Sequence, residues 1–237
     1  MNINSIQYEI VDEYNSINNY KLLKKDNNYY FLKTVINNDE DYKESLNNEI
    51  YFLKEYNLKN IPKIVDYKID EFILYEFIEG KPLSSFNKMD LIDSLKIISK
   101  LSSILNNIHS LGYIHGDINK NNIIYNNEEV YLIDFGSVMK FGDEPKFGYY
   151  DSSSPEFISK GYIDDKSDIY SVGVLLYELI TYDKPFKSEN LKERKVPKID
   201  NDKINYIIQK STNYYKDLRY QNIIELKNDI DDILDSM

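Results

Sequence analysis

The chain has 237 residues, of which 42% are hydrophobic and 14% aromatic, enough for one large or two modest domains with a substantial core. Its formal net charge of −11 disfavours non-specific binding to nucleic acid or to a membrane surface. Because the chain contains no cysteine, disulfides, thiol catalysis and thiolate metal sites are excluded.

Up to about Phe77 the sequence has a strand-like pattern that is interrupted by one helix. The helical segment runs from Tyr42 to Tyr56. Lys25-Asp26-Asn27-Asn28 is polar and favours a hairpin turn between the first two strands. Four strands are predicted, at residues 20–24, 29–35, 64–69 and 72–77.

After Gly80 the pattern becomes helical. Six apolar residues recur at spacings of three and four, which predicts a helix buried on one face: Leu91, Leu95, Ile98, Leu101, Leu105 and Ile108. Gly112 follows as a stop signal, and His109 is expected to be no more than a helix-end residue. The segment Ile169–Ile180 is apolar nearly all round and is expected at a core, while 204–210 and 223–234 are amphipathic.

Two short motifs in the middle of the chain carry the chemistry. The first is His115-Gly116-Asp117-Ile118-Asn119-Lys120-Asn121-Asn122, and the second is Asp134-Phe135-Gly136. Strands predicted after Asn122 and before Asp134, joined at Asn126–Glu129, would bring these two side chains together. Their oxygens suit Mg²⁺, and Asp117 is then available to accept a proton. The spacing therefore indicates a phosphoryl-transfer site.

These motifs resemble the catalytic loop and the metal-binding loop of the protein kinase superfamily. Further segments follow in the family's order over almost the whole chain: Lys33, Glu49, Glu76-Phe77-Ile78-Glu79-Gly80, Ser154-Pro155-Glu156, Asp168-Ile169-Tyr170-Ser171-Val172-Gly173 and Arg219. Each motif alone is weak evidence, but seven in the right order make coincidence improbable.

The resemblance implies an α+β, two-lobed fold in a single domain of residues 1–237. The N-lobe, about 1–75, would be a small antiparallel sheet with one helix. Residues 76–80 would form the hinge, and the C-lobe, about 81–237, would be mostly helical. The resemblance also implies that Asp168 anchors the catalytic loop and that Glu156 pairs with Arg219.

The resemblance also implies site residues for ATP and Mg²⁺. Lys33 would contact the α- and β-phosphates while paired with Glu49; Glu44 is a rival partner from the same helix. Asn122 and Asp134 would bind Mg²⁺. Asp117 would be the catalytic residue that orients and deprotonates the acceptor. His115 would be a structural residue. The nucleotide would be contacted by four further residues: Glu76, Ile78, Phe31 and Ile124.

The chain departs from the family at several positions. Its first glycine is Gly80, so the glycine-rich loop over the nucleotide is missing, and residues 15–19 stand in its place. Phe31 replaces a small alanine and is expected to narrow the adenine slot, whose floor Ile124 would form. Tyr75 stands where the family has the residue that guards the back pocket. Gly116 replaces an arginine and Asn119 a lysine. Without that arginine, activity should not require phosphorylation of Ser152, Tyr149 or Tyr150.

The sequence thus predicts a Ser/Thr protein kinase with a protein substrate and no nucleic-acid or membrane partner. We expect a monomer or weak dimer in the cytoplasm, since the N-terminus lacks the pattern of a signal peptide. Two alternatives stay open. The missing glycines, Phe31 and Asn119 favour a pseudokinase that acts as a binding module. The His-Gly-Asp form also occurs in small-molecule phosphotransferases of the same broad fold.

Overall fold

A computed structural model of the chain describes residues 1–15, 19–35, 39–126, 129–145, 152–186 and 195–237. Its internal contacts divide the chain into two compact units. The N-terminal unit contains Met1–Glu79 together with Ile133–Gly136, and the C-terminal unit contains Gly80–Leu132 and Ser137–Met237.

The N-terminal unit is built on a five-stranded antiparallel sheet. Its strands in chain order are β1 (Asn2–Ile3), β2 (Ile6–Gln7), β3 (Glu9–Asn15), β4 (Asn19–Lys25), β5 (Asn28–Thr34), β6 (Ile64–Lys68) and β7 (Phe72–Glu76). The sheet has the order β3-β4-β5-β7-β6, and β1 and β2 form a separate hairpin. The turn between β4 and β5 includes Asp26 at φ 55°, a left-handed conformation that Asp tolerates better than most residues.

The two faces of this sheet have different neighbours. Leu23, Leu32 and Leu74 lie on one face and are fully buried, and they pack with Ile3 and Tyr8 of the N-terminal hairpin segment. The alternation of side chains along a strand places the residues between them on the other face. Lys33, on β5, belongs to that other face.

A single helix, α1 (Glu40–Glu55), completes the N-terminal unit. The Asp39 side chain accepts hydrogen bonds from the backbone N–H groups of Asp41 and Tyr42, which caps the helix start. The buried side of α1 carries Glu49 among apolar neighbours. A carboxylate in that position needs a partner, because an unpaired buried charge is costly.

The C-terminal unit is mainly helical. Its strands are β8 (Lys81–Pro82), β9 (Tyr113–Ile114), β10 (Ile123–Tyr125), β11 (Val130–Leu132) and β12 (Met139–Lys140), and its helices are α2 (Leu91–Ser110), α3 (Pro155–Ile158), α4 (Asp165–Thr181), α5 (Asp202–Ser211) and α6 (Ile223–Asp235). β10 pairs with both β8 and β11, and β12 pairs with β9.

The core of the C-terminal unit lies around α2 and α4. The predicted stripe on α2 is fully buried at Leu95, Ile98, Leu101, Leu105 and Ile108. Helix α4 is buried on nearly all sides, as its apolar sequence predicts. An Asp or Asn side chain caps the start of each long helix of this unit: Asp90, Asp164, Asn201 and Asn222.

The predicted α+β fold class is confirmed, with a small antiparallel sheet and one helix in the first unit and mostly helices in the second. The hairpin of β1 and β2 was not predicted, because strands of two residues leave no periodic pattern. Of the predicted turn Asn126–Glu129, residues 127–128 lie outside the described part of the chain. Among the described helices, none has the length and apolar composition needed to cross a bilayer.

Candidate active site

The N-terminal unit holds a buried cation between two carboxylates. The Lys33 Nζ lies 2.8 Å from Glu49 Oε2 and 2.9 Å from Asp134 Oδ1. The Lys33 side chain is 7% exposed, Glu49 is 2% exposed, and Asp134 is 33% exposed. Glu49, rather than the exposed Glu44 of the same helix, is therefore the α1 carboxylate that pairs with Lys33.

The two carboxylates keep the lysine charged. Burial by itself lowers the pKa of the Lys33 ammonium, but Asp134 and Glu49 outweigh this effect and hold that pKa well above its usual value. A buried lysine without such partners would tend to lose its proton. The arrangement therefore provides a permanent positive charge beside a partly exposed carboxylate.

Backbone contacts fix the position of Asp134 and its neighbours. The Phe135 N–H donates to Glu49 Oε1 at 3.2 Å, and the Asn48 side chain donates to the Gly136 carbonyl at 3.0 Å. The Phe135 ring stacks on Phe52 of α1, with centroids 5.1 Å apart. A Cβ on Gly136 would clash with Ser45 Oγ, so a larger residue here would require the Ser45 hydroxyl to move.

Asp134 itself has a left-handed backbone conformation. Its φ is 64°, in a region that Asp tolerates better than most residues other than glycine. The ion pair with Lys33 and the contacts of Phe135 and Gly136 hold this conformation in place.

Phe31 lies on the same face of the sheet as Lys33, two residues earlier on β5. In the register of the sheet it is opposite Tyr75 of β7. Tyr75 is 6% exposed, and burial, followed by the charges of Glu49 and Asp134, raises the pKa of its hydroxyl well above the usual value. Glu76 is the last residue of β7, and Ile78 follows it. Of residues 15–19, the middle three lie outside the described ranges.

In the C-terminal unit, two amide side chains hold the Asp117 carboxylate. The Asn122 Nδ2 donates to Asp117 Oδ2 at 2.7 Å and to the Asp117 carbonyl at 2.9 Å. The Asn119 Nδ2 donates to Asp117 Oδ1 at 2.9 Å. Asn119 stands where the family has a lysine, and here its amide helps to orient the carboxylate. That function could not be inferred from the sequence.

The buried Asp168 of α4 fixes the backbone that leads to Asp117. Its carboxylate accepts the N–H groups of His115 at 2.9 Å and Gly116 at 3.0 Å. The His115 side chain is fully buried, and its Nδ1 accepts the Asp117 N–H at 3.3 Å. These contacts are those of a structural residue at His115 and of a residue at Asp168 that anchors the loop backbone.

His109 has a contact that the sequence did not reveal. It lies in the last turn of α2, as expected, but it is 9% exposed and its Nε2 lies 2.9 Å from Asp168 Oδ2. Burial alone raises the pKa of the Asp168 carboxyl, yet the hydrogen bond and charge of His109 outweigh this and lower it. The prediction that His109 only ends a helix was therefore wrong. Its wide sequence separation from Asp168 left no signal.

Glu156 and Arg219 form a bidentate ion pair in the C-terminal unit. Arg219 Nη1 and Nη2 lie 2.6 and 2.8 Å from the two Glu156 oxygens. Arg219 is 1% exposed and also donates to the carbonyls of Asn213 and Lys166. Although burial raises the pKa of the Glu156 carboxyl, the contact with Arg219 outweighs burial and lowers it.

The nucleotide-contacting candidate of the C-terminal unit, Ile124, is half-buried in the middle of β10. It pairs with Pro82 of β8 and with Tyr131 of β11. A Cβ on Gly80 would lie 2.7 Å from Ile124 Cγ2, so the first glycine of the chain permits close packing against this residue.

The chain is similar to known proteins both in family and in sequence. Residues 16–237 match the family model described as protein kinase domain. A probable serine/threonine-protein kinase of Dictyostelium discoideum is 30% identical over 182 residues, which is 65% of this chain and 19% of that protein. One of Clostridium perfringens is 26% identical over 231 residues, 85% of this chain and 33% of that protein. The chain thus spans a third or less of the length of these relatives.

A similar fold occurs among solved structures. The Cydia pomonella granulovirus kinase PK-1 has a TM-score of 0.77 with this chain at 20% sequence identity, and the match covers 92% of each chain. At this identity the similarity concerns the fold alone. It is the fold that the order of motifs predicted.

Gly116 and Gly112 offer a matched test of why the loop contains glycine instead of arginine. Both have left-handed φ values, +80° and +79°. A Cβ on Gly116 would lie 2.7 Å from the Ser137 carbonyl oxygen, whereas one on Gly112 meets nothing within 4 Å. We expect Gly112→Ala to cost about 1 kcal/mol of the free energy of unfolding through φ alone, and Gly116→Ala to cost at least about 1 kcal/mol more.

Urea denaturation of the two variants and the wild type measures both costs. The fold of each variant is checked first by far-UV circular dichroism. Equal losses in the two variants would show that φ alone, and not the contact with Ser137, selects glycine at position 116.

Proposed function

Because this chain belongs to the protein kinase domain family, we propose that it transfers the γ-phosphoryl group of ATP, in the presence of Mg²⁺, to a serine or threonine hydroxyl of a protein. The observation that carries the proposal is the buried Lys33 ammonium, held by Glu49 and Asp134 at 2.8 and 2.9 Å. A fixed cation beside an accessible carboxylate suits a polyphosphate accompanied by a divalent metal.

Lys33 contacts the α- and β-phosphates in this proposal. Its charge persists at any physiological pH, because the neighbouring carboxylates hold its pKa high even though burial lowers it. Glu49 is a positioning residue, since it touches Lys33 and the Phe135 backbone. Positioned charges of this kind supply most of the rate in phosphoryl transfer.

Asp134 and Asn122 are the proposed Mg²⁺ ligands, and their chemistry fits the ion. Asp134 offers a carboxylate that is 33% exposed. The Asn122 nitrogen is engaged by Asp117, so the amide oxygen is the atom left to coordinate a cation. Hard oxygen donors in small number are what Mg²⁺ takes, and bound Mg²⁺ supplies neutralisation of phosphate charge.

Asp117 orients the acceptor hydroxyl and takes up its proton as the oxygen attacks. The hydrogen bonds from Asn119 and Asn122 hold the carboxylate in one orientation before the acceptor arrives. A preorganised base of this kind contributes about 10²- to 10⁴-fold to a rate. Phe31, Glu76, Ile78 and Ile124 are the proposed contacts of the nucleotide base.

A protein acceptor is the substrate class that the comparisons favour. The Dictyostelium and Clostridium relatives are both named as probable serine/threonine-protein kinases. The net charge of −11 argues against a nucleic-acid acceptor. We further propose that the chain acts as a monomer or weak dimer in the cytoplasm.

A second candidate is a pseudokinase that binds partners without transferring phosphate. The main observation in its favour is the lack of any glycine before Gly80, which removes the glycine-rich loop. Opposing it, the five residues proposed for the chemistry are all present: Lys33, Glu49, Asp117, Asn122 and Asp134.

Substitution of Asp117 by Asn distinguishes the two candidates. With Mg²⁺, γ-labelled ATP and a generic basic protein acceptor, the wild type should transfer label, and Asp117→Asn should be slower by at least about a hundredfold because the proton acceptor is lost. The exposed Asp235→Asn serves as the matched control and should keep the wild-type rate. Nucleotide binding without transfer by the wild type would favour the pseudokinase, and label on a small molecule instead of protein would reject the acceptor class.

Activity should not depend on phosphorylation of the segment before α3. The family's arginine is replaced by Gly116, so position 116 supplies no guanidinium to bind a phosphate. Ser152 is 7% exposed and its carbonyl accepts the Ser171 hydroxyl, which also limits its access to a modifying enzyme. Tyr149 and Tyr150 lie outside the described residues.

The triple variant Ser152→Ala, Tyr149→Phe, Tyr150→Phe should therefore transfer phosphate at the wild-type rate. Intact-mass measurement of both proteins, before and after phosphatase treatment, reports how much phosphate each carries. A loss of more than about tenfold in the rate, with folding unchanged, would contradict the proposed independence.

A further inference from the structure

Two aromatic rings lie stacked beside Lys33 in the N-terminal unit. The centroids of Tyr20 and Phe31 are 5.3 Å apart, and the ring planes differ by 24°. Tyr20 is on β4 and Phe31 on β5, and both side chains are half-buried. The pair is therefore ordered by its own contact while part of its surface is accessible.

The register of the sheet shows that this stack adjoins the phosphate-binding amine. Tyr20 is directly opposite Lys33, and Phe31 is directly opposite Leu22 on one side and Tyr75 on the other. Directly opposed residues share a face of the sheet. The Tyr20 phenol also contributes to the raised pKa of Lys33, after the larger effects of burial and of the two carboxylates.

We propose that the Tyr20–Phe31 stack is the platform for the nucleotide base, and that it makes the protein accept ATP and GTP with little preference between them. The inference rests on the proposed function and adds to it the selection of the nucleotide. A planar base extends the existing stack of two rings, next to the lysine that receives the phosphates.

Stacking explains both affinity and tolerance. Stacking of a base on an aromatic ring contributes about 1–3 kcal/mol to the free energy of binding. The contact accepts different bases, because every base has a π-face. A stacking contact with the π-face of a base does not by itself distinguish adenine from guanine. In a chain whose glycine-rich loop is missing, the base then supplies affinity that backbone N–H groups would otherwise provide at the phosphates.

Calorimetric titration of the full chain with ATP, GTP and inorganic tripolyphosphate tests the inference. For the wild type, the Kd values for ATP and GTP should agree within about tenfold, since both bases stack. Phe31→Leu keeps the bulk but removes the π-face, so it should raise both Kd values by a similar factor of about ten while leaving that of tripolyphosphate unchanged. Tyr51→Leu, which removes an exposed aromatic ring on α1, is the control and should change none of them.

Three results would overturn the inference. The first is a preference for ATP over GTP above about tenfold, and the second is unchanged or tighter ATP binding by Phe31→Leu, which would make the ring an obstruction. The third is a wild type that binds no nucleotide, which overturns the proposed function as well. Phosphate transfer that continues with either of the first two results leaves the proposed function intact. Because ATP and tripolyphosphate are compared within one variant, partial misfolding does not produce the expected pattern.

Discussion

A lysine buried between two carboxylates is the interaction on which the N-terminal unit depends. Lys33, Glu49 and Asp134 come from β5, from α1 and from the segment that follows β11, so a single contact joins parts of the chain 101 residues apart. Removing Lys33 would leave the buried Glu49 carboxylate without its cation, which costs far more than the net gain from forming the pair. The same contact that joins these segments also keeps a cation ready for phosphate, so stability and proposed chemistry have one physical basis here.

The C-terminal unit also depends on a buried charged group that is fully hydrogen-bonded, but here the group is a carboxylate. Asp168 is a buried carboxylate that is satisfied by two backbone N–H groups and by His109, and it thereby fixes the loop that carries Asp117. Asp117 is in turn held by the amide donors of Asn119 and Asn122. These hydrogen bonds fix the orientation of the carboxylate before an acceptor arrives. The Glu156–Arg219 pair stabilises the region around α3 and α4 in the same way, as a fully hydrogen-bonded buried ion pair.

The sequence predicted the parts of this molecule that depend on local spacing. The helices follow from apolar periodicity, and the hairpin turn at Asp26 follows from its polar residues. The order of the motifs in the sequence indicates the family. Contacts between distant segments were expected only where the family resemblance implied them, as for Glu156 and Arg219. The His109–Asp168 contact joins residues 59 apart, and nothing near either residue indicates it. The stack of Tyr20 on Phe31 depends on the register between β4 and β5. A shift of one residue would place the two rings on opposite faces of the sheet. From the sequence, Asn119 was only a position at which the family's lysine is lost. In the structure its side chain donates to the Asp117 carboxylate.

A double-mutant cycle on Lys33 and Glu49 tests most directly whether the buried ion cluster organises the N-terminal unit. The free energy of unfolding is measured by urea denaturation for Lys33→Met, Glu49→Gln and the double variant, with amide hydrogen exchange in β5 as the local probe. Lys33→Met should cost about 3 kcal/mol or more, because two carboxylates then lose their cation. Adding Glu49→Gln should recover at least about 1 kcal/mol of that loss, since Gln keeps an acceptor for the Phe135 N–H but carries no charge. Costs that simply add, within about 0.5 kcal/mol, would contradict the account.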